Sequence, residues 1–316
     1  MVNRQWVQVA LLGVLLLPCV PLAAQLDSTF VETFGNFSRI NGGLRYRDNS
    51  AVFSVADQEQ LYFTNRSLDL RLGGRYKWLG YTFSIPVSDL GTGSDLGDAK
   101  SLGVNLQVYR DKVYGNLNVR RTTGFERDMV GEEPVFQKDI RFINALLYGF
   151  RILNSNRFSL RSSFRVRNRQ LKSAGSLLVG GAVARQVLTA DSLRLPLRDV
   201  GSTDINRFAQ TKVGAGVGYA YTFIFGRFWF VTPLVIAGPE LRFIDYDPLG
   251  SDREIERVRL SARVRSRLAF GANGHKVYAS IIAAYLPSID ESDSFDTRVS
   301  ETQLELVIGR RLGVDK

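Results

Sequence analysis

Histidine and cysteine are almost missing from this chain: among 316 residues there is one of each, His275 and Cys19. Cys19 falls inside an N-terminal leader, so the exported chain would hold no thiol, which excludes cysteine nucleophiles, thiolate metal sites and disulfide staples. Most hydrolytic sites need a histidine base, and His275 sits in the turn signal "NGHK", where an exposed turn residue is the plainer reading. A phosphate-cradling glycine loop is lacking too: "GTGSDLGDAK" from position 91 has the wrong spacing and no helix pattern behind it. These gaps read as a chain that is not an enzyme and carries no cofactor or metal.

What is present begins with an address. "MVNRQWVQVALLGVLLLPCVPLAAQ" has a cation at Arg4, an apolar core from Val7 to Leu17, Pro18, and small residues at Ala23 and Ala24. This is the layout of a cleaved secretory signal over residues 1–24, too short in its apolar run to anchor a chain. Cys19 follows Pro18 rather than a small residue, which argues against lipid modification. Without the leader the chain keeps 40 basic and 31 acidic side chains, since only Arg4 is lost from 41 and no acid is. An exported basic protein suits acidic membrane surfaces or anionic solutes, and no nucleic acid.

A period of two runs through the rest. In "SLDLRLGGRYKW" Leu68, Leu70, Leu72, Tyr76 and Trp78 share one parity, and Asp69, Arg71, Arg75 and Lys77 the other. Strand side chains alternate between faces, so such a segment has one face for an apolar medium and one for water. The pattern recurs at 79–87, 101–108, 113–120, 212–223 and 303–309. The long apolar stretch "VGAGVGYAYTFIFGRFWFVTPLVIAG" reads as a hairpin, because its glycines alternate with Val and Tyr, Gly226 and Arg227 interrupt it, and Pro233 follows.

Strands of ten or more residues with Tyr or Trp near their ends, in an exported chain, point to an all-β fold: a single transmembrane antiparallel up-and-down β-barrel. Short turns are expected at 111–112, 154–156, 226–227 and 271–276, and longer outer loops at 88–99, 122–138, 245–253 and 287–299. The segments number thirteen; taking 171–207 as one elaborated outer loop leaves about 12 strands, with 10–14 compatible, and both termini in the periplasm. Residues 25–41 then form an N-terminal periplasmic segment and 42–316 the barrel. Trp78, Tyr81, Tyr219 and Trp229 are the candidate interfacial aromatic girdle.

Two arginine ladders stand out. "RFSLRSSFRVRNRQ" carries Arg157, Arg161, Arg165 and Arg167 in alternation with Phe158, Leu160, Phe164 and Val166. Arg257, Arg259, Arg263, Arg265 and Arg267 alternate with Val258, Leu260, Val264 and Leu268. A guanidinium on the lipid face at the midplane costs about 2–4 kcal/mol, so both ladders are expected to line the lumen, with Asp69, Arg71 and Glu305. They either pair with lumenal acids and fill the interior, or make a cationic path that favours a small anionic solute. Acid clusters at Asp245 and Asp247, and at Asp290, Glu291 and Asp293, read as solvated or as cation bridges to lipopolysaccharide rather than as catalytic pairs.

Several of these stretches together resemble one family, the domain of unknown function 4421 family of exported Bacteroidetes proteins. They are "DSTFVETF", "LRLGGRYKWLGYTFSIP", "NRFSLRSSFR", "KSAGSLLVGG" with "ADSLRLP", and "GVGYAYTFIFGRFWF". The resemblance implies a bacterial outer-membrane barrel and brings no catalytic residue or ligand. Outer-membrane barrels usually end on an aromatic residue read by the barrel-assembly machinery, whereas this chain ends "GRRLGVDK", with Leu312 and Val314 as a relaxed version. The first reading is therefore an outer-membrane barrel in contact with lipid and lipopolysaccharide, either structural or a narrow anion-favouring pore. The alternatives are an exported soluble β-sandwich acting as a binding module and, behind it, an outer-membrane enzyme acting on lipid or envelope components.

Overall fold

The computed structural model describes residues 26–34, 38–55, 58–76, 79–87, 100–129, 135–197, 201–248, 255–290 and 296–313. Twelve strands build one antiparallel wall. In chain order they are β2 (Ser38–Val55), β3 (Gln58–Tyr76), β4 (Leu79–Pro86), β5 (Lys100–Tyr109), β6 (Val113–Met129) and β7 (Val135–Ile152), followed by β9 (Ala174–Leu197), β10 (Gly201–Phe225), β11 (Trp229–Pro248), β12 (Ile255–Asn273), β13 (Val277–Asp290) and β14 (Asp296–Leu312). Except for β4 and β5, neighbours in the chain are neighbours in the wall, and β14 returns to pair with β2 from Asp296↔Ser54 to Leu312↔Ser38. The curl closes on itself where Leu61–Thr64 of β3 pair with Glu126–Met129 of β6. β4 and β5 flank this closure lower down and are the two ends of the hydrogen-bonded order.

Alternation sorts the side chains as the period of two requires. On β12 Val258, Leu260, Val264 and Leu268 point outward, Leu260 with 74% of its surface exposed, while Arg259, Arg263, Arg265 and Arg267 point in. Outward apolar residues recur on every side, from Leu102 through Val217 to Ile308. A surface so extensively apolar is tolerable in lipid and not in water. On β10 the outward run from Val213 to Phe225 makes roughly 40 Å of strand, which at the usual tilt spans about the 30 Å of a hydrocarbon core. The fold is thus a transmembrane β-barrel, and the soluble sandwich is set aside.

Two sequence expectations fail in one place. Residues 157–170 are not a wall strand: they form a turn, the short helix α1 (Leu160–Phe164) and the strand β8 (Asn168–Gln170). Residues 171–207 are not an outer loop: they supply β9 and the start of β10. The count of twelve survives because one segment leaves the wall and another enters. Alternation misled at 157–170 because Phe158, Leu160, Phe164 and Val166 are buried inside the barrel instead of facing lipid. The wall also begins at Ser38, four residues before the boundary at 42.

The inserted segment plugs the short-turn end of the barrel. β1 (Val31–Thr33) pairs with β8, so the N-terminal segment belongs to the plug. Phe158, Leu160 and Phe164 pack against inward residues of the lower wall such as Tyr114, Phe150, Leu178, Phe230, Leu234 and Ile282. Higher up, Phe125, Ile140, Leu188, Leu193, Ile205, Phe208 and Ile244 form a second apolar cluster. Gly226, with φ +63, turns β10 into β11 in a conformation that a side chain would strain.

Candidate functional site: a plugged, arginine-rich lumen

Between the two apolar tiers lies a charged layer. Asp69 on β3 accepts from Arg45 at 3.0 Å and from Arg47, both on β2. Glu305 on β14 takes Arg71 of β3, and Glu301 takes Arg120 of β6 at 3.4 Å. Glu240 on β11 holds Arg242 at 3.1 Å and Arg263 at 3.4 Å. Six arginines thus share four carboxylates among the described residues, and Arg259, Arg265 and Arg267 come in addition. Taking charges out of water is costly unless each finds a partner, so these pairs hold the layer together and leave an interior rich in guanidinium groups.

Aromatic faces take up two of these arginines as well. Arg265 lies 3.7 Å from the ring centre of Tyr148, and Arg267 lies 4.5 Å from that of Phe164 in the plug. The Nε and Nη1 atoms of Arg265 are buried without a hydrogen-bond partner. Beside Arg263 and Arg265 a small recess opens against Gly180, Gly214, Gly216 and Gly238.

The plug is bound to the wall by polar contacts as well as packing. Ser163 of α1 meets Thr232 at 2.6 Å and Thr222 at 3.2 Å, and these two threonines bond each other at 2.8 Å. Asn273 donates to the carbonyls of Ser162 (3.1 Å) and Asn168 (2.9 Å). Arg311 donates to the carbonyl of Val166 at 2.7 Å and to Asn273 Oδ1 at 2.6 Å, and its guanidinium lies 4.1 Å from the ring centre of Phe34. Arg39 reaches the carbonyl of Arg165. Val166 has φ +49, a rare conformation for a β-branched residue, and the wall arginines on either side hold it there. At the plug's outer edge the Thr29 hydroxyl and amide donate to Asp27 and hold its carboxyl below the usual range.

The sequence-predicted residues divide accordingly. Asp69, Arg71, Glu305, Arg259, Arg263, Arg265 and Arg267 face the lumen from the wall. Arg165 also lines a lumenal recess, with Arg71 and Glu305, but from the plug. Arg157 is exposed near the ring of Phe30, Arg161 pairs with Asp111 at 2.9 Å at the short-turn end, and Arg167 lies after α1, so none of the first ladder belongs to a wall strand. Trp229 sits at the lower rim against Phe270. The Cα of Tyr219 is in the middle of the apolar band, six residues from Val213 and from Phe225. Trp78 lies outside the described residues, as does the side chain of Tyr81.

His275 is half-buried, 3.5 Å from Glu32 and edge-on to Phe34, which ties the turn after β12 to the N-terminal segment. Asp245 is held outside the wall by Arg185 at 3.0 Å and Arg207 at 2.8 Å. Glu291 and Asp293 lie outside the described residues, as do the side chains of Asp247 and Asp290. Among the described residues no three acids or histidines converge as metal ligands. Sequence reasoning missed Glu240 and Arg242, although "PELRF" sets both opposite Leu241 and Phe243 in parity. It also missed Asn273 and Arg311, whose task exists only once the plug is in place.

A closed antiparallel wall with a lipid-facing exterior and a polar, blocked interior defines a barrel of the kind found in bacterial outer membranes. The family model "Domain of unknown function (DUF4421)" matches residues 25–311, and the chain belongs to that family. In structure the chain is similar to the outer membrane protease OmpT of Escherichia coli, at 7% identity and a TM-score of 0.42 over 89% of this chain and 98% of that one. It is similar also to the β domain of the Bordetella autotransporter BrkA, at 14% identity and a TM-score of 0.36 over 86% and 99%. The transport unit of the Escherichia coli autotransporter AIDA-I aligns at 11% identity and a TM-score of 0.37 over 96% and 97%. No curated protein matches in sequence.

Proposed function

We propose that this protein is an outer-membrane barrel whose arginine-rich lumen admits small anions and whose plug keeps the short-turn end shut at rest. The observation that carries the reading is the charged layer: among the described residues six inward arginines share four carboxylates directly above the plug, and Arg259, Arg265 and Arg267 face the same interior. Rings of arginine favour anions in pores, and a blocked end makes passage depend on movement of the block. The secretory leader, the short turns and both described ends at the plug side support a periplasmic location for that side, reached through the barrel-assembly machinery. Lipid and lipopolysaccharide surround the apolar band. The reading is non-enzymatic, since His275 is occupied with Glu32 and Phe34 and Asp245 with Arg185 and Arg207.

The test is chloride efflux from proteoliposomes. Wild-type protein should hold chloride nearly as well as empty vesicles, and a variant with Phe158→Asp and Arg311→Ala should exchange it for external nitrate while retaining potassium. Efflux of both ions alike, or none from a correctly folded variant, would count against the reading.

A further inference from the structure

The outward face at the long-loop end carries a second cationic feature that the lumen does not explain. Arg141 on β7 and Arg207 on β10 both pair across Thr189 of β9, so the two stand two strand spacings apart, about 10 Å, in one row. Thr123 of β6 continues the row beyond Arg141. Arg121 lies diagonally below Arg141, because its own cross-strand partner is Ile143. Arg185 stands below Arg207 and donates to Thr211 at 2.7 Å.

Four arginines on four consecutive wall strands therefore gather at the upper edge of the apolar band, above Val119, Val213 and Leu241. Arg121 and Arg141 are exposed, with no acidic partner among the described residues. Asp245 is shared by Arg185 and Arg207 within the group. The exposed carboxylates of Asp139, Asp191 and Asp204 lie further out along the same strands. At this depth a guanidinium is tolerated beside lipid, and its planar fork suits phosphate oxygens.

We infer that this row is a binding site for a phosphorylated lipid headgroup of the outer leaflet. The inference rests on the outer-membrane reading and its orientation. Arg141 and Arg207 take the phosphates, Thr123 and Thr189 donate hydroxyls between them, and acyl chains lie down the apolar band beneath. The acids further out set the depth, because a phosphate riding higher meets like charge. A soluble anion has no use for the apolar surface below the row, whereas a lipid uses both.

The experiment measures binding of diphosphorylated lipid A to the full-length detergent-purified protein by native mass spectrometry. Wild type should bind it at least tenfold more tightly than the fully dephosphorylated lipid, and excess inorganic phosphate should not displace it. Arg141→Gln with Arg207→Gln should lose that preference, while Arg151→Gln with Arg310→Gln at the opposite rim should keep it. All proteins are checked for the heat-modifiable folded band on a gel. A folded Arg141/Arg207 variant that binds like wild type, or displacement by inorganic phosphate, would overturn the site and leave the barrel standing. Absence of a heat-modifiable form of wild type in lipid vesicles would overturn the membrane reading and the site with it.

Discussion

The guanidinium of Arg265 on β12 lies 3.7 Å from the ring centre of Tyr148 on β7, across the lumen from its own strand. Two of its nitrogens are buried without an acceptor. The ring face therefore stands in for a carboxylate. Tyr148→Leu should cost about 1–2 kcal/mol by urea unfolding in phospholipid vesicles, as a desolvated cation–π contact is removed. Arg265→Leu should cost less or stabilise, because it removes the poorly satisfied cation itself. Equal costs for both changes would contradict the account of Arg265.

The plug should loosen without the barrel falling apart. Phe158 is fully buried among wall side chains, and truncation of such a phenylalanine to alanine costs about 3–5 kcal/mol. Phe158→Ala should make residues 153–173 sensitive to protease added from the plug side, while the heat-modifiable band remains. Arg311→Ala should act in the same direction through another route, since it frees the carbonyl of Val166 and lets that residue leave its φ of +49. Hydrogen exchange of the α1 amides should rise at least tenfold.

Asp69 holds two arginines, Arg45 and Arg47, in the charged layer. Asp69→Asn leaves both without their carboxylate and should destabilise by about 3–5 kcal/mol in the same unfolding assay. A change below about 1 kcal/mol would mean that water already screens the layer, as it does exposed pairs.

The lipid face makes the opposite demand. Val264 is outward on β12 in the middle of the band, opposite Ala237. Val264→Arg should cost about 2–4 kcal/mol, whereas an arginine one residue away, at 263 or 265, is the native side chain. No cost at 264 would place that face in water and undo the parity assignment.

Parity explains how much of this molecule the sequence reveals. Wherever a segment is a wall strand, lipid on one side and lumen on the other force alternation, and Leu260 and Arg259 could be assigned before any fold was known. The short turns at Asp111, Gly226 and Gly274 were legible for the same local reasons. Residues 157–170 alternate as well, yet the apolar parity there answers to the barrel's interior. Nothing in "RFSLRSSFR" distinguishes a lipid-facing Phe164 from one buried against Leu234, because both environments are apolar. The distinction depends on Thr222, Thr232, Asn273 and Arg311, which lie 59 or more residues away from Ser163 in the chain or on the last strand. Arg141 and Arg207 come together only through the register of β7, β9 and β10, so sequence spacing conceals their row.

The reversal potential across a planar bilayer under a potassium chloride gradient decides whether a plug closes a cationic lumen. Wild-type protein should pass almost no current. The Phe158→Asp, Arg311→Ala variant should pass current with a chloride preference that weakens at high salt as the lumenal charges are screened. Adding Arg263→Glu and Arg265→Glu to that variant should turn the preference toward potassium. A potassium preference in the variant with its lumenal arginines intact would contradict the account.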